Sequence, residues 1–175
     1  MSAAVDLKIS GRAWKFGDDI NTDYMAPGFV KNQPWELVKK AILHIHPGFT
    51  AGFKPGDVIV AGENFGCGSS REAAPANLKR LEVGCAVAES FGRIFLRNSI
   101  AIAFPVLICK GITQAIEEGD ELELDFAQSL VRNKTRGTEI RGTPLPPELV
   151  RIVAAGGMMQ LLKQEALQTE GAAHG

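Results

Sequence analysis

The segment Gly62-Glu63-Asn64-Phe65-Gly66-Cys67-Gly68-Ser69-Ser70-Arg71 gathers the residue types best suited to chemistry in this chain. It follows a short apolar run, Val58-Ile59-Val60-Ala61, and precedes a stretch of helical composition from Glu72 to Leu81. A strand, a glycine-rich turn and a helix start make a ready anion site, because the first amides of a helix lack internal partners and its dipole favours negative charge. With Ser69-Ser70-Arg71 opening that helix, Arg71 adds a planar, permanently charged fork suited to a carboxylate or a phosphate. Ser69 and Ser70 supply hydroxyls that can donate, accept or, once desolvated, give up a proton. The glycines, Gly68 among them, let the backbone approach a ligand closely. On local chemistry alone a plainer alternative stays open, in which Ser69 caps the helix and Arg71 pairs with a surface acid.

Nucleotide chemistry is excluded by spacing. A triphosphate-binding loop needs Lys before its Ser or Thr, and Gly68 stands there instead; the glycine spacing of the dinucleotide fingerprint is also absent. A second polar loop, Asp18-Asp19-Ile20-Asn21-Thr22-Asp23, carries three carboxylates. His44 and His46 stand at the end of a short helix before Pro47, where capping or surface roles outweigh a ligand or base role. Cys67, Cys85 and Cys109 are odd in number and widely spaced, which argues against a disulfide framework and against a zinc or iron–sulfur ligand set. Cys85 and Cys109 lie in apolar runs as small buried hydrophobes. Cys67 fits as a small residue in a tight turn rather than as a reactive thiol. No metal site is expected on this chain.

The elements that must position these residues can be read from pattern and composition. The 175 residues suffice for one domain with a proper core, and 45% hydrophobic with 22% charged content is ordinary for a globular protein. A formal net charge of −1 gives no broad basic surface for nucleic acid. The cluster between Arg132 and Arg141 is interrupted by Glu139 and reads as a solvated turn. No apolar run reaches the length of a membrane span, and no charged region followed by an apolar core marks a secretory signal, so a cytoplasmic protein without membrane partners is expected. Strands are predicted at Leu7–Phe16, Val58–Ala61, Cys85–Ala88 and, apolar throughout, Ile100–Cys109. Helices are predicted at Trp35–Ile42, at Glu72–Leu81 with Pro75 in the first turn, and at Phe91–Arg97 capped by Ser90. Strand–helix alternation of this kind is the pattern of parallel β/α units.

The last third differs. Glu121–Phe126 alternates strictly, Asn133-Lys134 marks a turn, and a second strand falls around Thr138–Arg141, making a β-hairpin. Helices from Glu148 to Leu167 are broken near Gly156-Gly157. The expected organisation is an α/β fold forming a single domain over residues 1–168, with a frayed polar tail over 169–175 that includes His174.

The chain resembles the small subunit of the aconitase superfamily, which includes isopropylmalate isomerase (3-isopropylmalate dehydratase), homoaconitase and related hydro-lyases. The resemblance spans nearly the whole chain. It runs from Gly17-Asp18-Asp19-Ile20-Asn21-Thr22-Asp23 through Lys54-Pro55-Gly56-Asp57 and is densest over Ala61–Glu72 and Ala88–Asn98. It implies a swivelling β/β/α domain that closes over a 4Fe-4S cluster carried by a separate large subunit, with a small hydroxy dicarboxylate as substrate. It assigns Ser69, as alkoxide, to removing a proton next to a carboxylate. Ser70 and Arg71, with the backbone at Gly68, match the substrate-carboxylate positions, and Asp23 matches an acid that supports the site by orienting a partner. The cluster iron would act as Lewis acid on the departing hydroxyl.

The chain departs from its relatives at two places. Many of them carry His where Ala73 stands. The stretch Met25–Lys31 lacks the isoleucine pair and arginine common in isopropylmalate enzymes, and Lys31 is open to two roles, contact with a distal carboxylate or a surface lysine. The default substrate is 3-isopropylmalate, in leucine biosynthesis. Homoaconitate, citramalate or dimethylmalate types are alternatives, as is a non-catalytic carboxylate-binding module, against which the retained Ser69 argues.

Overall fold

The computed structural model describes residues 7–172, with side chains through residue 169. Strand β1 (Lys8–Lys15) is the hinge of the architecture, because it changes partners along its length. Lys8–Arg12 pairs antiparallel with β5 (Glu121–Asp125), whereas Ala13–Lys15 pairs parallel with β2 (Val58–Ala61). Next to β2 lie β3 (Cys85–Ala88) and β4 (Val106–Ile108), all parallel; beyond β5 lie β6 (Leu130–Asn133) and β7 (Thr138–Arg141), antiparallel. The single sheet thus runs β4-β3-β2-β1-β5-β6-β7, with a parallel and an antiparallel half.

The helices are α1 (Thr22–Met25), α2 (Trp35–Ala41), α3 (Phe49–Gly52), α4 (Ala73–Arg80), α5 (Arg93–Ala101), α6 (Ile112–Ala115), α7 (Pro147–Ala154) and α8 (Met158–Ala172). β2 and β3 are buried on both faces. Ile59, Ala61, Ala86 and Ala88 point into one core with Phe65, Phe95 and Leu78, while Val58, Val60, Cys85 and Val87 point into another with Ile112, Leu122 and Val131. A strand covered on both sides loses the polar alternation of a half-exposed one, which is why these runs are continuously apolar.

Several expectations need correction. Ile100–Cys109 is not one strand: α5 continues through Ala101, Ala103 takes a left-handed conformation (φ 53°), and only Val106–Ile108 is extended. The apolar run misled because Phe95, Ser99 and Ile100 are buried along a helix, whereas Val106 and Leu107 are buried along a strand. Ser90 does not cap α5, whose N-cap is Gly92; its Oγ accepts the Asn64 amide at 2.8 Å. Ser69-Ser70-Arg71 does not open α4, which begins at Ala73. A helix begun at Ser69 would carry Pro75 into its interior, where the missing N–H and the ring both oppose helix; beginning at Ala73 leaves it in the first turn. The segment Asp18–Asp23 is not wholly a loop, since Asn21 caps α1 by accepting the Asp23 amide at 2.8 Å.

The antiparallel half is also larger than a hairpin, because β6 lies between the two predicted strands. There the basic cluster is spent on ion pairs: Arg132 with Glu123 and Glu139, and Arg136 with Asp120. The break near Gly156-Gly157 falls between α7 and α8, with both glycines at positive φ. Helix α8 extends to Ala172; residues 173–175, His174 among them, lie outside the described residues.

Candidate active site

β1 and β2 are parallel, so both end on the same edge of the sheet, and the loops that leave them run side by side. Ligands of open parallel sheets bind outside these carboxyl ends. Here side chains continue the strand pairing once the ladder stops. Asp18 Oδ1 accepts the Glu63 amide at 2.7 Å, Asp19 Oδ1 accepts from Asn64 Nδ2 at 2.9 Å, and the Thr22 amide donates to the Cys67 carbonyl at 2.9 Å. Thr22 Oγ1 then donates to the Ser69 carbonyl at 3.2 Å, and Asp23 meets Arg71. The three carboxylates of the first loop each hold the glycine-rich loop at a successive point.

Two glycines make that approach possible. Gly66 (φ 78°) packs so closely that a Cβ there would overlap the Phe95 ring, and Gly68 (φ 100°) turns the chain over Thr22 and Asn21. Asn64 is left-handed as well (φ 63°). The loop is thereby bent twice, and Ser69, Ser70 and Arg71 emerge at the surface ahead of α4.

Arg71 ties the two loops together. Its Nε donates to Ser69 Oγ at 3.0 Å, its Nη1 to the Ala26 carbonyl at 2.7 Å, and its Nη2 lies 2.6 Å from Asp23 Oδ1. Asn77 Nδ2 donates to the Met25 carbonyl at 3.0 Å, tying α4 to α1 behind the guanidinium. Among the described residues, the amides of Gly68, Ser69 and Ser70 donate to no protein acceptor. Exposed amides beside a fixed guanidinium and a serine hydroxyl are the donor set an anionic oxygen needs. Arg71 is therefore in direct contact with both Asp23 and Ser69, and Gly68 and Ser70 adjoin Ser69 in the chain.

A cavity of about 470 Å³ opens beside Arg71, walled by Ala26, Val30, Val38 and Ala73, with Lys31 among its lining residues. The small Ala73 side chain faces this space, where a larger residue would fill part of it. A second cavity of about 400 Å³, on the Asp23 side of Arg71, includes Tyr24, Phe29 and His44. Sequence reasoning did not find the Ala26 carbonyl, the Thr22 hydroxyl or Asn77, whose roles depend on a contact between distant segments. The sequence left His44 a capping or surface role, and its Nδ1 donates to the Ala41 carbonyl at the end of α2 (2.8 Å). His46 turns away from the site, meeting Glu118 at 2.9 Å and the Trp14 ring edge-on.

The cysteines do not suit a cluster. Burial pushes the Cys85 thiol far up, burial and the charge of Glu89 push Cys109 up to about 11, and burial with the charge of Asp19 raises Cys67. Protonated thiols are poor ligands, and two of the three are sealed in the core. Among the described residues, no group of three or more His, Cys, Asp or Glu side chains stands together in a way that could hold a metal ion. No helix among them is long and apolar enough to cross a membrane.

Known proteins resemble this chain in sequence and in fold. Residues 51–107, which include the glycine-rich loop and α4, match the family described as the aconitase C-terminal domain. The isopropylmalate/citramalate isomerase small subunit of Methanocaldococcus jannaschii is 43% identical, over 93% of this chain and 98% of that one. A 3-isopropylmalate dehydratase small subunit of Archaeoglobus fulgidus is 49% identical, over 87% and 96%. A crystal structure of 3-isopropylmalate dehydratase from Methanocaldococcus jannaschii superposes with a TM-score of 0.87 at 36% identity, covering 95% of this chain and 99% of that one. With relatives this similar over nearly their full lengths, the chain belongs to the 3-isopropylmalate dehydratase small-subunit family of the aconitase superfamily.

Proposed function

We propose that this chain is the small subunit of a cytoplasmic 3-isopropylmalate dehydratase, active only when joined to a large subunit that carries a 4Fe-4S cluster. The observation that carries the reading is the contact of Ser69 Oγ with Arg71 Nε, in a loop whose neighbouring amides donate to no protein acceptor among the described residues. A serine is a poor base in water; the guanidinium N–H that donates to its oxygen stabilises the alkoxide and brings it into range of proton abstraction. The C–H bond next to a substrate carboxylate breaks with its proton passing to Ser69 Oγ. Its electron pair becomes the new C=C bond as the C–O bond on the neighbouring carbon breaks. The cluster on the large subunit would supply the Lewis acid for that departing oxygen.

Arg71, with the Gly68 and Ser70 backbone, holds a substrate carboxylate, and Asp23 fixes the guanidinium in the orientation this requires. Lys31, which lines the larger cavity, would meet a distal carboxylate, and the apolar walls given by Val30, Val38 and Ala73 suit a branched alkyl group. The names of the relatives favour 3-isopropylmalate over the other hydroxy diacids.

The test is reconstitution. Mixing this chain with the large subunit should yield dehydration of 3-isopropylmalate at a higher kcat/KM than for citramalate or homologous hydroxy diacids, while the separate chains stay inactive. Dehydration by this chain alone would overturn the two-subunit reading.

A further inference from the structure

His44 takes no part in proton abstraction by Ser69, yet it lines the cavity that Asp23 and Arg71 share. Its position is set by the backbone. Leu43 is fully buried and left-handed (φ 53°), and its amide donates to the Tyr24 carbonyl at 2.7 Å, so the chain leaves α2 with a sharp turn that fixes where the next side chain stands. His44 then meets the Tyr24 and Phe29 rings edge-on, each with centroids 6.0 Å away.

The hydrogen bond at Nδ1 also fixes the ring's chemistry. The Ala41 carbonyl can only accept, so Nδ1 must carry a proton, and the second nitrogen, Nε2, is left without a protein partner among the described residues. A ring anchored at one nitrogen and open at the other is oriented for a ligand. The charged and titratable groups lining the same cavity are Asp23 and Tyr24 from α1 and Arg71 from the glycine-rich loop. Arg71 already spends one arm on Asp23 and another on the Ala26 carbonyl, so the cation it offers is partly used. A second carboxylate entering there needs another donor, and an imidazole that takes up a proton at Nε2 supplies one.

We propose that His44 is a further substrate-contacting residue, donating from Nε2 to a carboxylate oxygen of a bound hydroxy dicarboxylate across the cavity from Arg71. The proposal rests on the hydro-lyase reading for its substrate, and two experiments separate the failure of one from the failure of the other. In the assembled enzyme, His44→Ala should raise KM about 10-fold or more, the loss expected for one charge-assisted hydrogen bond, with kcat little changed. In the isolated full chain, L-malate at millimolar concentration should shift the His44 ring resonances saturably, and the neutral diamide of malic acid should not. An unchanged KM in His44→Ala, or His44 resonances unmoved by malate, would each overturn the proposal. A malate-dependent shift in a chain that supports no dehydration with the large subunit would sustain the contact and remove the hydro-lyase reading instead.

Discussion

Asp23 Oδ1 lies 2.6 Å from Nη2 of Arg71, and the same guanidinium reaches Ser69 Oγ from Nε at 3.0 Å. One arginine therefore joins an acid from the β1 loop to the serine of the β2 loop. The side chains of Arg71 and Asp23 remain 37% and 62% exposed, so the ion pair itself adds little to stability. Its importance lies in orientation. Asp23→Asn should change the unfolding free energy by less than about 1 kcal/mol. It should lower kcat/KM of the assembled enzyme by about 10- to 100-fold, because an unanchored guanidinium no longer holds serine and substrate in one geometry. Urea unfolding and steady-state kinetics on the same variant check both halves.

The glycines of the active loop should not be equivalent to those elsewhere. Gly66→Ala must place a Cβ within the Phe95 ring at a positive φ, and should cost about 3 kcal/mol or more. Gly28→Ala, with open space around its Cβ and no positive φ, should stay within about 0.5 kcal/mol of wild type. Thermal or urea denaturation of the pair distinguishes a packed turn from a tolerant surface position.

Acid should weaken the fold partly through Glu89, just beyond the end of β3. Burial would raise this carboxyl, but hydrogen bonds from Thr113 and Gly111 and the charge of Lys110 outweigh it and hold it below its ordinary 4.5. The folded chain then binds the proton less tightly than the unfolded chain, so the contribution is fully present above 4.5 and fades as pH falls toward the folded-state value. Glu89→Gln should lower stability at neutral pH, and the gap from wild type should close with acidification below that point. A gap constant with pH would show that the Glu89 charge contributes nothing to acid sensitivity.

Much of this arrangement was legible in the residues alone, and the rest was hidden for identifiable reasons. β2, β3, the glycine-rich loop and the break between α7 and α8 announce themselves through short apolar runs and glycine pairs. The stretch from Ile100 to Cys109 did not, because a helix end and a strand buried in neighbouring cores look alike as an unbroken apolar string. β6 was missed because Leu130–Asn133 is short and its arginine is matched by partners on β5 and β7 rather than by its own neighbours. Ser69, Arg71 and Asp23 were each identifiable as candidates. Their contact was not, because it depends on the parallel register of β1 and β2, which sets Asp18 against Glu63 and carries that pairing forward to Asp23 and Arg71. For His44 the sequence offered a capping or surface role, and its second face became visible only once α1 and the Phe29 turn were packed beside it.

That this chain supplies the base of a shared active site is tested most directly by Ser69→Ala in the enzyme assembled with its large subunit. Turnover of 3-isopropylmalate should fall by about 10³-fold or more, since a positioned base is lost together with the alkoxide that Arg71 stabilises. Substrate affinity, measured by direct titration, should change by less than about threefold. Turnover close to wild type, or equal losses of turnover and affinity, would contradict a base role and leave Ser69 as a ligand only.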